Sequence, residues 1–96
     1  MSGMTDLLKE RVELLTKDIV DKPDEVSVSA FISTKAVIIQ IKVAQTDCGK
    51  IIGKRGRTID SMKVICLAMK NTKHPEDSRR VMLEVLEDEN TSFSYK

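Results

Sequence analysis

Near its middle the chain reads Gly49-Lys50-Ile51-Ile52-Gly53-Lys54-Arg55-Gly56-Arg57-Thr58-Ile59, and this stretch decides how the rest of the sequence is interpreted. At its centre, Gly53 and Gly56 flank two cationic residues, Lys54 and Arg55. Glycines three residues apart let the backbone turn tightly and leave its N–H groups accessible. The second glycine precedes a segment of helical periodicity, where free N–H groups and the positive end of the helix dipole attract anions. The arrangement suits the phosphates of a nucleic-acid backbone.

Two other interpretations of this loop compete with phosphate binding by a nucleic acid. The first, a purely structural corner between two helices, stays open. The second is a nucleotide-binding loop. A nucleotide-binding P-loop requires four residues between its first glycine and Gly-Lys-[Ser/Thr]. Here only three residues separate Gly49 from Gly53, and Arg55 stands where a magnesium-binding hydroxyl is needed. The dinucleotide-binding pattern Gly-x-Gly-x-x-Gly is also absent, so the sequence excludes both nucleotide-binding motifs.

Positive charge is concentrated around the glycine loop although the net charge of the whole chain is only +1. Residues 47–73 carry seven basic and two acidic side chains. Residues 1–46 carry six basic and seven acidic side chains, and residues 74–96 carry three and six. Such a local excess is the electrostatic pattern expected of a phosphate-binding surface. An ordinary solvated helix face would not explain why the loop shares the bias.

The length of 96 residues is enough for one small domain. We expect residues 4–87 to form this domain, residues 1–3 to be a tag remnant or a disordered start, and residues 88–96 to be a frayed polar tail. No apolar run approaches the ~20 residues that a membrane span requires. Residues 1–6 also lack the features of a signal peptide, so we expect a cytoplasmic protein without membrane contact.

Neither a metal centre nor a catalytic site is expected. Cys48 and Cys66 are too few and too far apart for a zinc site and do not form a disulfide framework. We expect Cys66 to be a small buried residue and Cys48 to lie in a loop. The single histidine, His74, has no nucleophile or carboxylate pair placed beside it. We therefore predict no cofactor, no metal and no enzymatic activity.

Hydrophobic periodicity predicts the order helix, strand, strand, short helix, long helix, strand. A helical stripe at Leu8, Val12, Leu15 and Ile19, widened by Leu7 and Leu14, precedes a turn at Pro23. Alternating residues predict strands over 26–33, 37–43 and 79–87, and helical spacing predicts a long helix over 57–72. The first two strands are expected to form an antiparallel hairpin, and the third returns through a crossover that favours parallel pairing. The prediction is an α+β domain of αββααβ order, with a three-stranded mixed sheet and helices on one face.

The long helix is apolar around more of its circumference than one face of a sheet can cover. Its apolar residues form a first stripe and a second one beside it: Ile59, Met62, Cys66 and Met69, then Val64, Leu67 and Ala68. Two explanations stay open. Either the first helix packs beside the long helix, or a second protein chain covers it.

The central stretch matches Ile-Ile-Gly-x-x-Gly-x-x-Ile and resembles the signature of the KH domain at every fixed position. The order of elements resembles that of type II, or bacterial, KH domains. The chain is also similar to the KhpA family of small stand-alone bacterial KH proteins, formerly called the YlqC family. This likeness rests on the glycine loop and on Val20-Asp21-Lys22-Pro23-Asp24-Glu25-Val26. Cys48, Asp60, the first three residues and the tail depart from the family pattern.

The resemblance implies binding of single-stranded RNA, or less often DNA, about four nucleotides at a time. Residues 53–56 would grip the backbone, and bases would lie in an apolar groove formed by Ile51, Ile52, Ile59 and the edge of the hairpin. Residues 71–77 would close the other side. None of the three aromatic residues is expected near this groove. The predicted nucleic-acid-binding residues are Lys50, Ile51, Ile52, Gly53, Lys54, Arg55, Gly56, Arg57, Thr58, Ile59, Lys63, Lys70 and Lys73.

The family also implies protein partners and a cellular role. Its members form homodimers and pair with a larger Jag-type (KhpB-like) protein that carries its own KH domain. That places the expected function in post-transcriptional regulation as an RNA chaperone, with effects on cell division and cell shape. Two alternatives stay open: a protein-interaction subunit whose glycine loop supports a partner interface, and a ribosome-assembly factor.

Overall fold

The computed structural model describes residues 3–88 and 91–95, and the side chains of residues 3–86. The elements, in chain order, are α1 (Gly3–Ile19), β1 (Ser27–Ile32), β2 (Ala36–Lys42), α2 (Cys48–Ile52), α3 (Arg57–Lys73), β3 (Arg80–Asp88) and β4 (Thr91–Tyr95). Short 3-10 turns at Pro23–Glu25, Gln45–Asp47 and Lys54–Gly56 connect them. The predicted elements are all present, with boundaries that differ by one or two residues.

The four strands form one sheet in the order β1-β2-β3-β4. Strands β1 and β2 pair antiparallel, with Val28 opposite Ile41. Strands β2 and β3 pair parallel, with Ile39 opposite Leu83. The crossover through α2 and α3 explains the parallel pairing, because a chain that leaves one end of a strand must return to the other end. The α+β class, the αββααβ order and the predicted mixed sheet are confirmed.

A fourth strand extends the predicted three-stranded sheet. The backbone of Thr91–Tyr95 pairs antiparallel with β3, and Phe93 lies opposite Val85 in the register. The prediction of a frayed tail is therefore wrong for these five residues. Their sequence alternates polar and aromatic residues with a period of two, which is a strand pattern. The outer edge of β3 supplies backbone N–H and C=O groups for that pattern to pair with.

The helices pack on one face of the sheet, where the hydrophobic core lies. Helix α1 packs against β1 and α3, and α2 and α3 pack against β3. The buried stripe of α1 contains Met4 and Thr16 in addition to the predicted Leu8 and Val12. Leu14, which was expected to widen the stripe, is exposed. It follows Val12 by two residues and so points about 200° away from it around the helix axis.

Both cysteines lie in the core. Cys66 is fully buried on α3, as predicted, and burial raises the pKa of its thiol to about 11. Cys48 is not a loop residue, because it begins α2 and is buried there. Its Sγ lies 3.8 Å from the carbonyl oxygens of Ala44 and Leu86.

The opposite face of the sheet carries exposed and half-buried side chains, among them Phe31, Ile38 and Met82. Within the described ranges, none of the helices has the length and apolar character needed to cross a membrane.

Candidate nucleic-acid interface

The glycine loop has a backbone that only glycine can adopt at its first position. Gly53 has a φ of 77° and Gly56 a φ of 73°, both in the region that L residues rarely occupy. A Cβ on Gly53 would stand 2.2 Å from Oγ1 of Thr58 and 2.8 Å from its backbone nitrogen. Arg55 also has a positive φ of 58°, which costs a residue with a side chain about 1 kcal/mol. The tight turn therefore depends on the absence of a side chain at Gly53.

The cations of the loop are accessible to solvent. Lys54 and Arg55 are exposed, and so is Arg57 at the first position of α3. No side chain caps the N-terminus of α3, whose N-cap residue is Gly56. The positive end of the α3 dipole and three cationic side chains therefore meet at one surface. Lys50 is also exposed, although its Nζ lies 3.1 Å from the Asp21 carboxylate in a surface ion pair.

Two isoleucines of the motif hold the loop on the core and do not offer a surface for bases. Ile51 and Ile59 are both fully buried among the core residues. Ile52 is half-buried and packs against the core. The expectation that Ile51 and Ile59 form the floor of a base-binding groove is therefore wrong, since neither side chain is accessible. They fix α2 and α3 beneath the loop, and this explains why the motif requires apolar residues on both sides of its glycines.

A buried carboxylate joins the glycine-loop region to the turn after α1. Asp47 is almost completely buried, and its two carboxylate oxygens accept hydrogen bonds from the backbone N–H groups of Asp21 (3.2 Å) and Lys22 (3.0 Å). The carboxylate makes no cap hydrogen bond to α2. Asp47 is a positioning residue that was not among the predicted site residues. The sequence contained a hint of this role. The two stretches that resemble the family are residues 20–26 and the glycine stretch from Gly49, and Asp47 connects the first to the start of the second.

A groove lies between the middle of α3 and the start of β3. Its lining combines two residues of α3, Lys63 and Leu67, with three consecutive residues of β3: Arg80, Val81 and Met82. Lys63 lies six residues beyond Arg57, about 9 Å along the helix axis. The strand that lines the groove is β3, whereas the edge of the β1–β2 hairpin was expected in this place. The reason is the crossover, which places β3 outside β2 and leaves the other edge of the hairpin under α1.

Strand β4 covers only part of this outer edge. It pairs with β3 from Leu83 to Asp88, so in the described chain no strand pairs with the outer side of Arg80–Met82. The backbone of these three residues borders the groove.

The two lysines at the end of α3 have different environments. Lys73 is exposed, as a phosphate-binding residue must be. Lys70 is buried, and its Nζ donates a hydrogen bond to the carbonyl oxygen of Asp77. Asp77 in turn accepts the backbone N–H of Arg79 at 3.0 Å and lies 3.5 Å from its guanidinium. Lys70 therefore holds the loop between α3 and β3, and the expectation that it contacts phosphate is wrong.

Among the described residues, no group of three or more His, Cys, Asp or Glu side chains is arranged to hold a metal ion.

A family model described as "KhpA/KhpB, KH domain" matches residues 9–85. The chain belongs to the KhpA/KhpB KH-domain family. This confirms the resemblance drawn from the Ile-Ile-Gly-x-x-Gly-x-x-Ile motif. The buried Ile51, Gly56 and Ile59 are thus the structural part of the KH motif, and the exposed Lys54 and Arg55 are its variable positions.

Curated relatives in this family are similar over most of their length. The protein called "RNA-binding protein KhpA" in Chlamydia trachomatis is 36% identical over 81 residues, which cover 84% of this chain and 99% of the relative. Its namesake in Borreliella burgdorferi is 38% identical and covers 81% and 90% of the two chains. That of Aquifex aeolicus is also 38% identical, over 83% and 96%. No solved structure matches the chain.

Proposed function

We propose that this KH domain is a non-catalytic RNA-binding protein whose loop, residues 53–56, grips the backbone of about four nucleotides of single-stranded RNA. The observation that carries the proposal is the tight turn at Gly53, which packs against Thr58 and presents the exposed Lys54 and Arg55 beside the uncapped N-terminus of α3. The dipole of α3 adds positive potential at the same place. The printed name of the relatives, RNA-binding protein, supports this choice of ligand.

The bases are proposed to lie along the groove between α3 and β3. Leu67 and Met82 give it apolar walls, and Lys63 and Arg80 give it positive charge. The outer backbone of Arg80–Met82 can exchange hydrogen bonds with base edges, because no described strand pairs with it. Affinity for one copy is expected to be modest and to fall with salt, since few phosphates are neutralised.

The exposed apolar residues of α3 favour a second copy of the chain as a partner. Helix α1 packs beside α3, which was one of the two explanations for the wide apolar face. Nevertheless Val64 and Ile65, which do not line the groove, remain exposed. We propose that α3 forms a homodimer interface, or pairs with a Jag-type (KhpB-like) KH protein. Dimerisation raises avidity for RNA without any new base contact. The proposed cellular role is post-transcriptional regulation in the cytoplasm as an RNA chaperone, with effects on cell shape.

Reversal of the loop charges tests the proposal. Fluorescence anisotropy of a labelled single-stranded RNA pool is measured at low and moderate salt for wild type and for Lys54→Asp/Arg55→Asp. We expect the variant to bind at least about tenfold more weakly at low salt, because two phosphate-facing cations become repulsive. The control is Lys9→Glu/Arg11→Glu, which changes the net charge equally on exposed positions of α1 and keeps good helix formers there.

The outcomes separate the candidate functions. Binding by wild type and by the α1 control alone supports RNA on the glycine loop. Equal binding by the loop variant would move the site elsewhere. Absence of binding by every protein, with circular dichroism showing that each is folded, would favour the protein-interaction subunit. Co-sedimentation of the chain with a ribosomal subunit would favour the ribosome-assembly factor.

A further inference from the structure

The uncovered face of the sheet carries a row of three apolar side chains. Phe31 on β1 lies opposite Ile38 on β2, and Ile38 lies opposite Met82 on β3. Residues paired in this way present their side chains on the same face about 5 Å apart. Phe31 is 51% exposed, and Ile38 and Met82 are half-buried. We call these three residues the Phe31 row.

The Phe31 row is continuous with the proposed RNA groove. Met82 belongs to the row and also lines the groove. Arg80, two residues before Met82 on β3, lines the groove as well. Because β4 begins to pair only at Leu83, the edge of β3 at Arg80–Met82 is open between the two surfaces. A strand in the groove can therefore pass around this edge onto the sheet face, and the row extends about 10 Å across three strands from there.

The charges around the Phe31 row favour a polyanion. Lys35 lies in the hairpin turn at the same end of the sheet, where its carbonyl accepts the backbone N–H of Arg80 at 2.9 Å. Lys42 is exposed further along β2. Among the residues whose side chains are described, Glu84 is the one acidic residue on this face, and it accepts a hydrogen bond from Nε2 of Gln40 at 3.1 Å. Lys35 and Arg80, at the end of the sheet nearest the row, therefore favour an anionic ligand such as a nucleic-acid backbone.

The row is too small to be a stable interface between two copies of the chain. The next register row along the sheet consists of Ser29, Gln40 and Glu84, all polar. Along the strands the row is therefore only one residue deep, whereas a stable protein interface buries about 800 Å² on each partner. A single base stacked on Phe31 matches the size of the row, since every base has a face that can stack on an aromatic ring.

From these observations we infer that the Phe31 row is a second contact for the same RNA strand, where a base beyond the groove stacks on Phe31. The inference rests on the proposed RNA-binding function and extends it to a site on the other face of the sheet. It predicts a contact that depends on RNA length. An oligonucleotide of about four residues fills the loop and groove only, whereas one of about ten residues also reaches Phe31.

The test compares these two lengths by fluorescence anisotropy with labelled RNA of mixed sequence. Phe31→Ala is expected to weaken binding of the longer RNA about fivefold or more, and to leave binding of the shorter RNA unchanged. Leu14→Ala is the matched control, because Leu14 is also 51% exposed but lies on α1. The double variant Lys54→Asp/Arg55→Asp is measured in the same way and is expected to bind neither the shorter nor the longer RNA.

A fluorescence measurement reports the contact directly. The chain has no tryptophan, so Phe31→Trp and Leu14→Trp each introduce a single probe. Stacking on a base quenches indole emission. We expect the longer RNA to quench the probe at position 31 and the shorter RNA to leave it unchanged, while the probe at position 14 responds to neither.

Each alternative result overturns the inference in a distinguishable way. If Phe31→Ala binds both RNAs like wild type while the loop variant binds neither, RNA binding stands and the second contact is absent. Equal weakening for both lengths would mean that Phe31 acts through the fold. A change in oligomeric state without a change in RNA affinity would assign the row to a protein partner. If wild type binds neither RNA, the proposed function itself fails.

Discussion

At the scale of single residues, the steric environment of Gly53 explains the glycine that begins the Gly-x-x-Gly loop. Its positive φ and the Thr58 atoms within 2.8 Å of a built Cβ leave no room for any other residue. Gly49 lies only four residues earlier, yet a Cβ there would meet no atom within 4 Å. Two glycines of the same stretch thus have different roles, one required by the turn and the other replaceable.

This difference gives a matched pair of substitutions. Gly53→Ala is expected to lower the free energy of unfolding by about 1–3 kcal/mol and to weaken RNA binding, because the loop must rearrange to relieve strain and overlap. Gly49→Ala is expected to bind RNA like wild type, with stability unchanged or raised by up to about 1 kcal/mol, since alanine favours the helical conformation of α2. Urea denaturation and RNA anisotropy measure both effects. Equal behaviour of the two variants would contradict this account of the loop.

At the scale of elements, α3 combines three surfaces. One face packs on the core through Ile59, Met62 and Cys66, and another faces the groove. The last turn ties down the following loop through Lys70 and Asp77. The charge of a lysine favours a place in solvent, but Lys70 follows Cys66 by four residues on the core face of α3, and the following loop covers it.

Removing the side chain of Lys63 and removing that of Lys70 are expected to have different effects on RNA binding and on stability. Lys63→Ala should reduce the slope of log affinity against log salt by about one, with little effect on stability, because one phosphate contact is lost. Lys70→Ala should leave this slope unchanged and lower the free energy of unfolding by about 2 kcal/mol or more, since it removes buried atoms and a hydrogen bond. RNA titrations over a range of salt concentrations measure the slope, and thermal unfolding measures the change in stability. A reduced salt slope for Lys70→Ala would restore its role as a phosphate contact.

At the scale of the whole molecule, the surface proposed to bind RNA differs from the surface proposed to bind a second protein chain. The loop and groove carry the positive charge, and the outer side of α3 carries exposed aliphatic residues, with Val64 at 58%. The exposed aliphatic side chains are adjacent to the groove on the same helix. A dimer formed there would therefore place two RNA sites on one particle.

The proposed dimer is tested with a charge on its apolar face. Val64→Asp is expected to convert a dimer to a monomer, since an unpaired carboxylate in a desolvated interface costs several kcal/mol. Leu14→Asp, at a similarly exposed apolar position on α1, should remain dimeric. Light scattering after size-exclusion chromatography gives the mass of each protein, and circular dichroism confirms the fold. A wild type that is monomeric at every concentration, or a Val64→Asp dimer, would rule out this interface.

Much of the fold follows from local patterns in the sequence. Period-two alternation identified β1, β2 and β3, and the stripe of Ile59, Met62 and Cys66 identified the buried face of α3. The parallel pairing of β2 and β3 followed from the length of the crossover. The glycine loop was recognisable because its requirements are local: a tight turn, two cations and a following helix. β4 was missed because a short polar segment pairs only when a neighbouring edge is available.

The sequence by itself determined the KH fold, the loop and the placement of charge, because these depend on periodicity and on residues close together in the chain. The tertiary structure alone decided which motif residues are accessible. It buried Ile51, closed the loop after α3 over Lys70, placed β3 beside α3, and joined Asp47 to the backbone of Asp21 and Lys22. Burial and such long-range hydrogen bonds depend on which elements meet after folding, and no pattern along a single segment contains that information.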